Sequence, residues 1–346
     1  MISKALVVDF KHAEKVRKIL SKKNLIKKNL KIEKVDKFLY IPIQKIPKEL
    51  SSFKIIKKDF SEFNKEVYSY KETIEIPKEL KSLLPTSYDI TGNIIIIKLK
   101  EELLEYKKEI GVSLLKTNKN IETVCLTKPV KGELRTRDIE IIAGKNSTKT
   151  IHKEYGLNFQ VDISKTYFSP RLATERKRIA DLVNKDEIVV DMFAGVGPFS
   201  ILIAKYANPK IVIAIDKNKD ARKFAKNNIK INNVLDKVEF INSDAKNVDK
   251  ILNKKGVKAD RIIMNLPFSS FSFFKHALKS MNDLCIIHYY EILKEENIKK
   301  RLDDLRKIAE KNEVFITDIY IKKIKTYAPR EFYIGIDITA KRKMPM

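Results

Sequence analysis

The chain has 346 residues, 71 Lys and Arg against 45 Asp and Glu, and a formal net charge of +26. That length gives two or three domains with buried cores, and a positive field of this size favours polyanionic partners. No apolar run approaches the ~20 residues that span a bilayer, the first residues read as a strand rather than a secretory leader, and Cys125 and Cys285 stand apart from any ligand or disulfide spacing. The expectation is a reduced cytoplasmic protein with no membrane partner.

Charge is concentrated at the start. Residues 1–58 hold 17 Lys and Arg against five Asp and Glu, a net of +12 in a sixth of the chain. The apolar pattern there predicts a strand over 5–10, a helix over 12–23 and a strand over 37–43, a folded basic module rather than a tail. It reads as an RNA-binding appendage, or as a solvated basic face. Residues 59–85 are polar and read as a linker with a short helix near Pro77-Lys-Glu-Leu80. A middle α+β domain over 86–168 follows, with a turn at Ile90-Thr-Gly-Asn93, a strand over 93–98, a helix over 101–110 and basic extended segments through 131–137.

The last domain, 169–346, opens on Ser169-Pro170, a cap and first-turn pair. Leu172, Ile179, Leu182 and Val183 make one helical stripe, and Glu175 falls on it. The carboxylate is either buried, which would make it a better proton acceptor near neutral pH, or an exposed first-turn acid favoured by the helix dipole. Next, Ile188-Val-Val190 runs into Asp191-Met-Phe-Ala-Gly-Val-Gly-Pro-Phe199, a strand-to-helix turn. Gly195 and Gly197 permit a close backbone approach to a ligand. The third glycine of the dinucleotide pattern is missing, which favours a nucleoside ligand without a pyrophosphate, S-adenosylmethionine above all.

Three more strands follow in the order an open parallel sheet requires: 211–215 ending in Asp216, 238–241 followed by Asp244, and 261–264 ending in Asn265-Leu-Pro267. Ligands of such sheets sit beyond the carboxyl ends of the strands, where Asp191, Asp216, Asp244 and Asn265 all fall. Each acid alone reads equally as a cap or turn residue. Asn265 offers donor and acceptor to a base edge, and Pro267 biases Leu266 toward extended backbone. Residues 284–288, 314–321 and 332–338 read as the remaining strands, with a short connection that makes the last pair antiparallel.

These residues resemble the archaeal and eukaryotic tRNA (guanine-N1-)-methyltransferases that act on position 37. The resemblance is carried by Lys131-Gly-Glu-Leu-Arg135, Ile151-His-Lys-Glu154, Val161-Asp-Ile163, Tyr167-Phe-Ser-Pro-Arg171, the glycine turn, Asn265-Leu-Pro267, His288-Tyr-Tyr290 and Tyr327-Ala-Pro-Arg-Glu331. It implies an α/β fold: a Rossmann-like class I methyltransferase sheet with an antiparallel last strand, preceded by two smaller α+β modules. It implies Glu175 as general base, Arg135 stabilising guanine O6, and Asn265 and Pro267 at the base. It further implies Asp216 on the cofactor ribose, Asp244 on the adenine, and Gly195 and Gly197 by the methionine. Tyr167 and Phe193 pack beside cofactor or base, or serve as core aromatics. Asp191 belongs to the same cofactor loop. Arg171, Arg176, Lys177 and Arg178 are candidates for the RNA. The tRNA is expected to be held at its anticodon loop and its elbow, with no DNA partner; magnesium accompanies folded tRNA, and no carboxylate cluster marks a metal site. Modification of a wyosine precursor, by methyl or aminocarboxypropyl transfer, and a non-catalytic RNA-binding role are the alternatives.

Overall fold

The structure is a computed structural model that describes residues 1–27, 29–62, 69–127 and 138–343. Arg135 and the rest of Lys131-Gly-Glu-Leu-Arg135 lie outside the described residues. The chain divides into two compact units, Met1–Ser69 and Tyr70–Met346.

In the first unit, β1 (Ile2–Asp9) leads into α1 (Phe10–Lys22), followed by β2 (Glu33–Val35), β3 (Phe38–Ile43) and β4 (Ile55–Asp59). The strands pair antiparallel in the order β2-β3-β1-β4. Asp9 caps α1 by accepting the Lys11 amide at 2.8 Å. Val16 and Leu20, one turn apart on α1, pack on Leu6, Val8, Ile41 and Ile43. β4 is the sequence-level surprise. Lys57 and Lys58 sit on a sheet-edge strand facing β1, and Phe60 is buried beside Ala5 and Leu30, so the folded module runs past residue 58. Lysines on an edge strand discourage further pairing, and that hides the strand in a charge-rich stretch.

The second unit begins with α2 (Tyr70–Thr73) and α3 (Lys78–Lys81), then β5 (Asp89–Thr91), β6 (Ile94–Ile97), α4 (Lys107–Thr117), β7 (Thr123–Thr127) and β8 (Ile139–Gly144). Tyr70, Ile74 and Leu84 are buried with Ile95, Ile97, Ile110 and Leu114. The part of the supposed linker from Tyr70 onward is thus core material: three apolar residues spaced along a polar segment are too sparse for a period but sufficient to cover a sheet. The predicted helix over 101–110 is a single 3-10 turn, Glu101–Leu103, with the helix proper starting at Lys107. The four isoleucines of β6 divide between two cores, Ile95 and Ile97 toward α4, Ile94 and Ile96 toward the large sheet. A strand buried on both faces has no polar alternation, as its sequence shows.

The hairpin of β9 (Lys149–Glu154) and β10 (Leu157–Asp162) connects to the large domain. That domain runs α5 (Ala173–Leu182), β11 (Ile188–Asp191), α6 (Pro198–Tyr206), β12 (Ile211–Asp216), α7 (Lys219–Ile231), β13 (Val238–Asn242), α8 (Val248–Lys254), β14 (Ala259–Met264) and α9 (Ser270–Ser280). It ends with β15 (Met281–Lys294), α10 (Ile298–Lys311), β16 (Val314–Ala328) and β17 (Glu331–Arg342). The strand order is β13-β12-β11-β14-β15-β17-β16, with β17 antiparallel to both neighbours and the strands from β13 to β15 parallel. This is the expected methyltransferase sheet. Val189, Ala214 and Ile263 pack on Ile179, Phe199 and Ile229 from α5, α6 and α7. Their sequence neighbours Val190, Ile213 and Ile262 pack on the opposite face, against Val248, Phe274 and Leu305 from α8, α9 and α10. Each fully buried aliphatic side chain contributes about 1.5–3 kcal/mol. The last strands are longer than predicted, 14, 15 and 12 residues, because antiparallel pairing continues into stretches where Lys and Thr break the apolar run. No described helix is long and apolar enough to cross a membrane.

Candidate active site

A cavity of about 270 Å³ opens at the carboxyl ends of β11, β12, β13 and β14. The loop from Asp191 into α6 forms one wall. Ala194 N–H donates to the Ile215 carbonyl at 2.9 Å and Gly197 N–H to the Ala194 carbonyl at 2.8 Å, so the loop is pinned to β12 and closed into a turn. Gly195 (φ +55°) faces the cavity. Gly197 (φ +87°) is the left-handed residue before Pro198, the first position of α6, and does not line the cavity. In this structure its part is to turn the chain into α6.

The four strand-end residues separate into two kinds. Asp216, Asp244 and Asn265 line the cavity. Asp216 accepts the amides of Gly195 at 2.7 Å and Asn218 at 2.8 Å, tying the glycine turn to the second strand. Burial raises its proton affinity against the pull of those two amides. Asp244 is also a cap, accepting the Lys246 amide at 2.8 Å while it lines the cavity. Asp191 is 1% exposed and lies beneath the loop instead of on the cavity wall. Its Oδ2 accepts from Ser200 Oγ at 2.8 Å, while Oδ1 finds no hydrogen-bond partner. Burial pushes it up to about 7, with Ser200 opposing and the Asp216 charge adding.

Aromatic walls complete the cavity. Tyr167 and Phe193 line it, and Phe193 meets Phe273 of α9 edge to face at 5.0 Å. Lys217 and Lys246 also line it; sequence reading passed over them although each follows a strand-end acid by one or two positions. Pro267 is buried outside the cavity, where its carbonyl accepts the Ile292 amide at 3.0 Å. It shapes the chain after Asn265 without touching the space. Acids at two strand ends, an open backbone at Gly195 and aromatic faces fit a cationic nucleoside such as S-adenosylmethionine. Among the described residues no group of three or more His, Cys, Asp or Glu side chains gathers for a metal.

Helix α5 flanks this cavity, and its polar residues turn inward on two sides. Glu175 is 3% exposed and does not line the cavity. Its carboxylate accepts from Tyr290 Oη at 2.9 Å, Arg178 Nε at 3.0 Å and Nη2 at 2.6 Å, and Lys322 Nζ at 3.2 Å. Arg176, the next residue, is 1% exposed and lines the cavity, with Nε donating to Glu154 Oε1 at 2.8 Å and Nη2 to the other carboxylate oxygen. Its guanidinium also lies over the Phe168 ring, 5.1 Å from the centroid. A cation held this way is not presented to an RNA phosphate, which overturns that expectation for Arg176. Arg178 bridges Glu175 and Asp337, and Lys177 pairs with Asp181. Arg171 is exposed and pairs with Asp89 of β5 at 2.5 Å, outside the cavity. Ser169 precedes the helical turn as predicted, but its hydroxyl makes no cap bond.

The ion pairs continue through the sheet. Arg261 Nη1 lies 2.9 Å from His288 Nε2, and His288 Nδ1 lies 2.7 Å from Asp337 Oδ1. Arginine only donates, so Nε2 must accept and the ring is the neutral Nδ1–H tautomer. Burial holds His288 below its ordinary range. Burial alone would raise Asp337, but the His288 and Arg178 hydrogen bonds outweigh it and hold the carboxyl well below the carboxylate range.

Comparison with known proteins agrees with this architecture. Residues 150–317 match the TRM5/TYW2 methyltransferase domain, residues 70–148 the TYW2 N-terminal domain, and residues 5–51 the tRNA methyltransferase 5 N-terminal domain. The chain is 39% identical over 350 residues to the tRNA (guanine(37)-N(1))-methyltransferase Trm5b of Methanocaldococcus jannaschii, covering 98% of this chain and 99% of that one. It is 38% identical over 257 residues to a tRNA(Phe) (4-demethylwyosine(37)-C(7)) aminocarboxypropyltransferase of the same organism, 74% of this chain and 98% of the relative. The crystal structure of Trm5b from Pyrococcus abyssi superposes with a TM-score of 0.74 at 39% identity, over 98% of this chain and 99% of that one. Two further crystal structures are similar: a complex of aTrm5 with tRNALeu (36% identity, TM-score 0.67, 98% and 99% covered) and M. jannaschii TYW2 with AdoMet (32%, 0.58, 74% and 100%). The chain therefore belongs to the TRM5/TYW2 methyltransferase family and is an S-adenosylmethionine-dependent enzyme.

Proposed function

We propose that the enzyme methylates N1 of guanosine 37 in tRNA. The observation that carries this reading over its nearest rival is the N-terminal module. Residues 5–51 match the tRNA methyltransferase 5 N-terminal domain, whereas 257 residues of this chain already span 98% of the aminocarboxypropyl-transferring relative. With its net charge of +12 over residues 1–58, the module suits the tRNA elbow, leaving the anticodon loop to the cavity.

Guanine N1 carries a proton at neutral pH and is a poor nucleophile until that proton leaves, so the reaction needs a base. Glu175 takes that role in this reading, supported by its inward position one residue from Arg176 on the cavity wall. Asn265, on the wall, holds the base edge. Arg135 stabilises charge developing on O6 as N1 loses its proton. Asp216 and Asp244 hold the ribose and adenine of the cofactor, with Tyr167, Phe193 and Gly195 around them. S-adenosylmethionine supplies an electrophilic methyl group on a sulfonium leaving group. N1 is hidden by stacking in the anticodon loop, so the nucleotide must be turned out to reach the cavity.

The test is transfer from labelled S-adenosylmethionine to two unmodified tRNA transcripts differing only in G or A at position 37, with mass identification of the nucleoside. N1-methylguanosine from the G transcript alone is expected, and Glu175→Gln should slow it about 10²–10⁴-fold while cofactor binding persists. Cofactor binding with transfer to neither transcript would instead favour the wyosine precursor, a reading kept alive by the shared TRM5/TYW2 domain.

A further inference from the structure

The motif His288-Tyr-Tyr290 has no part in the mechanism above, yet it is wholly buried: Tyr289 and Tyr290 are each 0% exposed. Tyr290 of β15 stacks on Tyr333 of β17, with centroids 6.0 Å apart and planes 28° from parallel. The register explains the contact. Tyr290 lies opposite Gly335 and Tyr333 opposite Ile292, so the two rings are diagonal neighbours on one sheet face. A Cβ at Gly335 would come within 3.1 Å of Tyr290 Cε1, a tight approach that the ring would have to shift to admit.

The two hydroxyls diverge to the two groups assigned to the base. Tyr290 Oη donates to Glu175 Oε1 at 2.9 Å, and Tyr333 Oη donates to Asn265 Oδ1. Asn265, whose oxygen accepts this bond, lines the cavity and carries two amide donors beside it. Glu175 and Asn265 come from α5 and the end of β14, and no chain segment links them directly. We propose that the stacked Tyr290–Tyr333 pair is a positioning unit for the reaction, holding Glu175 and Asn265 in fixed relation to each other. This rests on the reading of Glu175 as base and Asn265 as base-edge contact. The charged groups facing Glu175 are Arg178 on its own helix, Lys322 of β16 and, through Arg178, Asp337 of β17. Tyr290 itself stays protonated, because burial and then the Glu175 charge raise it well above its ordinary value.

The experiment measures single-turnover methyl transfer to the G37 transcript against pH for full-length Tyr290→Phe, Tyr333→Phe and Glu175→Gln, with S-adenosylmethionine affinity in parallel. Both phenylalanine variants keep the ring stack. Each is expected to slow transfer about tenfold while cofactor affinity changes by less than about twofold. Tyr290→Phe removes a donor from the charged carboxylate, so the acidic limb of the profile should move to higher pH. Tyr333→Phe should leave the limb in place and cost nothing further when added to Asn265→Ala. Wild-type rate and limb in both phenylalanine variants, with Glu175→Gln inactive, would sink the positioning role alone. A Glu175→Gln enzyme with wild-type rate and limb would remove the base assignment beneath it.

Discussion

The rim of the cavity and the anchorage of helix α5 solve the same problem, holding charge in a protein interior, by different means. At the rim, Asp216 is tied by two backbone amides, one of them 21 residues away, and Asp244 by an amide two residues on. Helix α5 is clasped by side chains from distant segments: Glu154 of β9 takes Arg176, while Tyr290, Lys322 and Asp337 of the last three strands take Glu175 and Arg178. Backbone amides follow from the strand-turn-helix geometry and leave the acids open to a ligand. Ion pairs between remote side chains satisfy both partners and withdraw them from solvent, which fixes a helix that flanks the cavity.

The comparison breaks first at Arg176. Arg176→Met should cost about 3–5 kcal/mol of stability, because Glu154 is left buried without its cation, and the salt dependence of tRNA binding should be unchanged. Denaturant melts with binding measured across salt check both. Unchanged stability with a salt slope reduced by about one would return Arg176 to the phosphate contacts.

The second break lies under the rim. Asp191 has its folded value raised to about 7, so the fold favours the protonated form and stability declines as pH rises from the ordinary carboxylate range through 7. Asp191→Asn should therefore stabilise the cofactor-free protein by about 2–4 kcal/mol near pH ~8 and give nothing near pH ~4. A gain independent of pH would mean that the carboxylate is not the source.

The smallest effect sharpens the rim itself. Asp216→Ala should weaken S-adenosylmethionine binding about 10–100-fold, the range for a hydrogen bond to a charged group, with tRNA affinity retained. Calorimetric titration decides it; affinity within about twofold of wild type would leave Asp216 only as a clamp on the Gly195 amide.

The rim was legible in the sequence because its parts are short and contiguous: a strand of aliphatics, then an acid or Asn, then a glycine or cap. Asp216, Asp244 and Asn265 needed only strand periodicity to be placed. The same rule misplaced Asp191, since a strand end says that a side chain is near the crevice and not whether the following loop folds over it. On α5, periodicity sent Glu175 inward and left Arg176 as a candidate for RNA. Arg176 is buried only because Glu154 lies across the β9–β10 hairpin, and nothing in the helix announces that partner. Arg261, at the head of an apolar strand, is a charge where none is expected, the one local sign of the network that reaches His288 and Asp337.

By itself the sequence determined the sheet, its strand ends and the loop chemistry of the crevice, since these depend on period-two burial and on residues a few positions apart. Only the tertiary structure decided which polar residues meet across 22 to 159 positions: Arg176 with Glu154, Glu175 with Tyr290, Arg178 with Asp337. Burying a charge is tolerable only beside its partner. That partner is supplied by the packing of remote elements, which no local pattern records.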